Sequence, residues 1–376
     1  MKRRIAAVLV FLTVAAVATV AYFASRPEKE EKPSKFDSFR YDAVWTHAVA
    51  IALAEKPDSD CIRAVKPLEE ALRKRCEKMG MEFTLAGEAN AADIMFITGD
   101  EFGKGGKIDF AKYERETVDG GEVAVVLDVR KMTAARFKEI LSAIPHPKAH
   151  LWMISERDWL VTARKEEDPR LCSDILSLFS FGPAFDVFLD ASIEAPWDVF
   201  ASYAGEIGET MGAFAGDLSV TVRPEFFVSR DIPEVKWIER DDVEEDIFGN
   251  ILREIRSVQV VRRVILEGNM LSREKGDSEK AISKWAAAYL RNPRDSMLLE
   301  RLYTLAVNAK TFAEIGNLKG AAKCYETMIS VNPRDMAALE EFSKVTARLG
   351  MLEVSRAAKE RAKKIQSAVD KKSQIQ

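Results

Sequence analysis

"HLWMISERDWLVTAR", His150 to Arg164, decides the fold. Two short apolar runs, each holding a tryptophan, flank the charged tetrapeptide Ser155-Glu156-Arg157-Asp158. A linker of about three residues is too short for a crossover between parallel strands, so the runs must pair antiparallel as a hairpin with a solvent-facing tip. Upstream, "ADIMFITG" and "GEVAVVLDV" are nearly continuous apolar runs, the pattern of strands buried on both faces, and "MEFTLAG" is a further strand. Helical stretches alternate with them: "VWTHAVAIALAEK", "KPLEEALRKRCEKMG" with Gly80 as its stop, and "RKMTAARFKEILSAI". Alternation of this kind implies an α/β layered domain with a mostly parallel sheet, ended here by the hairpin.

The chain has 376 residues, 47% of them apolar, which is enough for one sizeable core and room for a second. Net charge is −4, so the bulk composition advertises no nucleic-acid partner. Charge asymmetry is local: Lys2, Arg3 and Arg4 precede Ile5 to Ala24, an uncharged apolar run. Twenty residues at about 1.5 Å each span roughly 30 Å, a bilayer core. Cutting after Ala24 would put Tyr22 at the −3 position, so the run reads as an uncleaved anchor rather than a signal peptide. The basic cluster then stays cytoplasmic and the bulk of the chain lies on the extracytoplasmic side, a single-pass membrane protein. Arg26, Lys29, Lys32 and Lys35 blunt that asymmetry and keep the inverse topology open.

Cys61, Cys76, Cys172 and Cys324 show no CxxC spacing, so the reading is no metal and no redox motif, with a Cys61–Cys76 disulfide left open. His146 and His150 have an i, i+4 spacing, but "IPHPKAH" sets a proline on each side of His146 and breaks the helix that would join both rings. A loop pair without a carboxylate helper reads as structural.

"ADIMFITGDEF", "YERETVDGGEVAVVLDV", a helix and the hairpin, in that order, resemble the second half of the spermidine synthase family, aminopropyltransferases with a Rossmann-like (class I methyltransferase-like) fold. Asp93 to Ile97 match its central strand, Asp119 to Val126 its Gly-Gly turn and next strand, and "LSVTVRPEFFVSRDIP" is similar to its closing segment; the resemblance covers roughly residues 91–233. It implies a cofactor-binding glycine loop after an earlier strand and a catalytic acid after "DvIiv". Before Gly99 the only glycines are Gly80 and Gly87, and the acid's position is Thr98. Asp100 and Glu101, two and three residues on, are the candidate substitutes if the domain is an active aminopropyltransferase or methyltransferase-type enzyme of polyamine metabolism. The expectation is a pseudoenzyme, a degenerate domain with no cofactor and no catalytic residue.

Beyond Pro169, "CSDILSLFSF", "PAFDVFLDAS" and "WDVFASYAGEIGETMGAFAG" read as helices, followed by the acid-rich "DDVEED". Then "KGDSEKAISKWAAAYLRNPRD" and "IGNLKGAAKCYETMISVNPRD" align residue for residue, and "LGMLEVSRAAKERAKKI" sets Gly350 34 residues after Gly316. The pattern resembles tetratricopeptide repeats, whose period is 34. That likeness implies an all-α helical array whose first helices line a groove for a peptide or protein partner, with Arg263, Arg273, Tyr303, Lys310, Glu340 and Lys344 as groove residues by register. Their mostly basic character favours an acidic partner segment; packing of so short an array on the middle domain is equally open. The domain expectation is anchor 1–24, tether 25–40, α/β domain with helical extension 41–235, acidic junction helix 236–261, repeats 262–365 and polar tail 366–376.

Overall fold

The computed structural model describes residues 35–88, 90–102, 109–129, 132–146, 148–164, 170–171, 183–190, 193, 196–208, 210, 222, 239–240, 245–274 and 278–373. The expected anchor, Cys172, the helix at 172–181, Gly276, most of "DDVEED" and nearly all of the closing segment lie outside these residues. Among the described residues no helix is long and apolar enough to cross a membrane.

The first helix, α1 (Lys35–Glu55), carries an uninterrupted apolar run, and Ala48 through Ala54 are all buried. A helix apolar all round is an enclosed one. The chain then enters β1 (Cys61–Ala64), which the sequence reading missed because four residues including an arginine carry almost no periodic signal. A 3-10 turn leads into α2 (Glu69–Met79), ended by Gly80 at φ +74°. Only a residue without Cβ adopts that left-handed conformation cheaply, so the expected stop is where the sequence put it.

β2 (Glu82–Leu85), β3 (Ala92–Thr98), a 3-10 turn (Gly99–Phe102), α3 (Phe110–Glu114), β4 (Thr117–Asp128), α4 (Ala134–Ala143), β5 (His150–Met153) and β6 (Asp158–Arg164) follow. Past β7 (Arg170–Leu171), α5 (Pro183–Asp190) and α6 (Pro196–Phe200) comes β8 (Tyr203–Glu206), and β9 (Glu239–Arg240) pairs with β7 in a separate two-stranded ribbon. The helical reading of residues 197–216 holds at its start in α6 and is corrected at residues 203–206, which form β8. Gly205 at φ +116° is incompatible with a helix, and the segment finds a ladder along the free edge of β5 instead.

The sheet is mixed and seven-stranded, in the order β2-β1-β3-β4-β6-β5-β8. β2, β1, β3 and β4 are parallel; β6, β5 and β8 alternate in direction beyond them. The hairpin therefore folds back, slotting β6 between β4 and β5. A large bulge opens β4: Ala92 pairs with Thr117 but Ile94 already pairs with Glu122. Gly120 (φ +72°) and Gly121 make it possible, since a Cβ on Gly121 would lie 2.6 Å from Cβ of Thr117. The Gly-Gly pair thus works inside the strand rather than as a turn before it, and it delivers Glu122 into the buried part of the ladder.

Parallel neighbours usually need a crossover of a dozen residues. The six residues between β2 and β3 instead pass β1 as a loop, pinned by Arg63, whose buried guanidinium donates to Thr84 Oγ1 (3.1 Å) and to the carbonyls of Asn90 and Glu116.

α7 (Glu245–Glu274), α8 (Ser278–Arg291), α9 (Ser296–Glu314), α10 (Leu318–Val331), α11 (Met336–Arg348) and α12 (Leu352–Ser373) make the helical array. α7 runs without a break through residue 261, so the junction helix and the first helix of the first repeat are one element. Its Ile251 and Ile255 sit in the core of the sheet domain, whereas Val261, Ile265 and Leu266 sit in that of the array.

The two "NPRD" turns are built alike. Asn292 and Asn332 each accept from the N–H two residues on (3.2 and 3.0 Å), and Asp295 and Asp335 each cap the next helix. Gly316 and Gly350 are both left-handed, at φ +82° and +78°. Ala281 and Ala321 are fully buried at the crossings, beside buried Trp285 and Tyr325.

Candidate functional site

The two acids proposed for catalysis occupy the 3-10 turn after β3. A Cβ on Gly99 would meet Leu127 Cδ2 at 2.9 Å, so this turn is pressed against β4. Glu101 accepts a 2.7 Å hydrogen bond from the Tyr113 hydroxyl, and Asp100 is exposed. Burial, followed by the Glu101 carboxylate, pushes the Tyr113 phenol upward, so it stays the donor that occupies Glu101.

A strand that holds a nucleotide-like cofactor ends in a glycine turn whose amides, with the next helix N-terminus, face the ligand. After β1 the amide of Val65 is spent on Phe96 O (3.1 Å), Pro67 has no N–H, and Leu68 is buried. Glu69 and Glu70 open α2, placing negative charge where an anion would dock.

Among the described residues the cysteine thiols are raised above their ordinary value, chiefly by burial. Cys61, Cys76 and Cys324 are free thiols, so the Cys61–Cys76 disulfide is not formed, and burial pushes Cys76 up to about 12. No group of His, Cys, Asp and Glu among the described residues is arranged to hold a metal ion.

The hairpin tip is not solvent-facing. Its parent strand β6 starts opposite the end of β4, so the tip projects from the edge where the parallel strands end, and there the array docks on it. Glu156 accepts from Arg273 Nη2 (2.7 Å) and from Asn269, while its own amide donates to Glu300 (3.0 Å). Arg157 is held by Asp128 (2.6 Å). Beneath the tip, buried Arg262 donates to Met153 O (3.0 Å), Ser202 Oγ (2.8 Å) and Asp295 (3.2 Å). The tip looked solvated because the partners of Glu156 sit more than 100 residues away.

Of the expected groove residues, Arg273 pairs with Glu156 of the hairpin at 2.7 Å. Arg263 lies 3.9 Å from Glu267 on its own helix. Tyr303 is half-buried and Lys310 exposed on α9; Glu340 and Lys344 are exposed on α11, with Lys344 held 2.6 Å from Glu341.

Sequence reasoning also missed a polar row between α1 and the sheet. His47 Nε2 meets Ser202 Oγ at 3.1 Å, and Glu55 pairs with His150 Nδ1. Arg164 donates to the carbonyl of Glu55, and Glu122 stands directly opposite Arg164 in the β4–β6 ladder. Each of these two histidines has the carboxylate it was thought to lack, His146 from Glu114 at 2.5 Å and His150 from Glu55. Burial alone would raise Glu55; the charge and hydrogen bond of His150, with Thr162 and Arg164, hold it below the ordinary carboxylate value. Glu122 lies well above that value, first through burial and then through the neighbouring Glu55 carboxylate.

His47 is pushed down to about 3, chiefly by burial and then by the charge of Arg262, so it folds neutral. A base whose folded value lies below 6.5 contributes stability that is intact above pH 6.5 and is lost as pH falls below it. His47→Gln, which cannot titrate, should gain about 2 kcal/mol relative to the natural protein between pH 6.5 and about pH 5. Urea denaturation of both proteins across that range measures the gain; parallel curves would refute it.

No protein-family model matches the chain, and no curated protein matches it.

Proposed function

We propose that this chain is a membrane-tethered, non-catalytic interaction protein. On this reading a degenerate spermidine-synthase-like domain serves as a scaffold, and a tetratricopeptide-like array presents a surface to a protein partner on the extracytoplasmic side. The observation that carries it is the junction after β1. A domain of this type works by cradling a nucleotide-like donor there, and the junction has no glycine, a spent amide, a proline and two leading acids. Glu101, half-buried in the turn after β3, is already bonded to Tyr113.

Supporting the fold half of the reading is the strand order, four parallel strands followed by a hairpin whose second strand slots inward, the order in which such transferases end. Supporting the array half are the duplicated "NPRD" caps and the left-handed glycines 34 residues apart. The exposed, basic Lys310 on α9 and Lys344 on α11 favour an acidic partner segment.

Titration calorimetry of the part of the chain that follows the anchor, with S-adenosylmethionine and with its decarboxylated form, tests the reading. No saturable heat is expected from either. Stoichiometric binding of one of them would restore the enzyme reading, with Asp100 and Glu101 as the first residues to mutate.

A further inference from the structure

Glu122 is a charged residue type set into the most buried part of the sheet. It is wholly inaccessible to solvent, and among the described residues neither carboxyl oxygen meets a partner at full hydrogen-bond geometry, the Glu55 carboxyl being its polar neighbour. An ionised carboxylate in that position costs several kcal/mol or more unless it is paired, so such a group keeps its proton instead. The groups around it decide what that proton does. Glu55 at the end of α1 and Lys56 just beyond it act on Glu122, as does Arg164 of β6, directly across the ladder; β3 presents Ile94, and His150 of β5 acts through its pairing with Glu55. The two positive charges are partly committed, since Arg164 donates to the Glu55 carbonyl and Lys56 pairs with Asp58 at 3.3 Å. The Glu55 carboxylate, stabilised by His150, is the negative charge that Glu122 would have to face if it ionised.

We propose that Glu122 is a proton-operated latch on α1: while it is neutral the end of α1 rests on β5 and β6 through Glu55, and its ionisation sets two carboxylates against each other and loosens that end. Three features make this a latch rather than a passive defect. The Gly120–Gly121 bulge is what brings Glu122 into the ladder, and Gly121 tolerates no side chain. The contacts that hold Glu55, from His150 and Arg164, are the ones Glu122 adjoins. Finally, Glu55 is the last residue of α1, so the carboxylate that Glu122 would face is the one that ends the helix.

The sign follows from linkage. An acid whose folded value lies above its unfolded one takes up a proton on folding, so its contribution weakens as pH rises from the unfolded value through the folded one. Glu55 and His47 act in the opposite sense, so a comparison between variants isolates Glu122.

The experiment is urea denaturation of the natural protein and of Glu122→Gln between about pH 5 and pH 8.5, with hydrogen exchange followed at the amides of Ala48 to Glu55. The ratio of their unfolding constants should shift toward Glu122→Gln by about tenfold per pH unit while Glu122 holds its proton. Protection of the α1 amides should fall with pH in the natural protein and stay level in the variant. A pH-independent ratio overturns the proposal. If Glu122→Gln does not fold, infrared spectra of the natural protein decide: a protonated buried carboxyl band at pH 7, fading as α1 loses protection, is expected, and its absence overturns the latch.

Discussion

Arg262→Met should uncouple the helical array from the sheet and cost about 3–5 kcal/mol, the range for breaking a buried ion pair by removing one partner. Arg262 is 6% exposed and Asp295 3%, and the guanidinium joins three elements: Asp295 of the array, the Met153 carbonyl at the end of β5 and the Ser202 hydroxyl before β8. Methionine keeps much of the aliphatic stem and supplies no donor. It therefore leaves the Asp295 carboxylate buried with only the amides of Met297 and Leu298, at 3.0 and 3.4 Å, to solvate it.

The shape of the unfolding curve should change as well. In the natural protein α7 threads both cores, and tip and array are clamped, so one cooperative transition is expected. With the clamp gone, the array and the sheet domain should melt in two steps, seen as tyrosine and tryptophan fluorescence no longer coinciding with circular dichroism. A single transition at an unchanged midpoint would show that the α7 apolar contacts alone carry the union. Double replacement, Arg262→Met with Asp295→Asn, should recover part of the loss, because it removes the stranded charge.

Trp285→Ala should cost about 3–5 kcal/mol, the usual range for emptying a buried tryptophan site. The indole is 2% exposed; its N–H donates to Asn269 Oδ1 (2.9 Å), and the Arg301 guanidinium stacks on it at 4.6 Å. It reaches that place because Gly268 of α7 has no side chain: a Cβ there would lie 2.6 Å from the indole nitrogen. The loss should spread to the hairpin, since Asn269 also bonds Glu156. Limited proteolysis ought to show faster cleavage in α8 and at the tip together. Gly268→Ala in the natural background should cost about 1–3 kcal/mol by overpacking, and much less in the Trp285→Ala background, where the space is empty. Equal costs in both backgrounds would mean the close approach is not what selects glycine.

Much of this architecture was legible from local signals. The hairpin followed from the length of its linker, β3 and β4 from unbroken apolar runs, the end of α2 from Gly80, and the repeat from "NPRD" recurring with its glycine, alanine and aromatic in register. Each of these rests on a period or a stop that the chain carries within a few residues, and backbone geometry turns it into structure without help from afar. β1 and β8 were illegible for the same reason: four residues each, one with a buried arginine and one with a glycine, carry no period.

What the sequence by itself determined is therefore the elements that carry a period or a stop, and the faces they bury. Which charges are buried, and against what, only the tertiary structure decided. Glu156 looked like a solvated tip residue until Arg273 and Asn269 arrived from over 100 residues away; Glu55 and His150 are 95 residues apart and meet only because α1 lies across β5. Glu122 is the sharpest case. As one acid in an apolar run it reads as an interruption, and the bulge that two glycines permit makes it a buried proton site. The physical reason is one of range. Apolar burial is non-directional and repeats along the chain, so pattern announces it, whereas the cost of a buried charge depends on the few partners that folding brings to it.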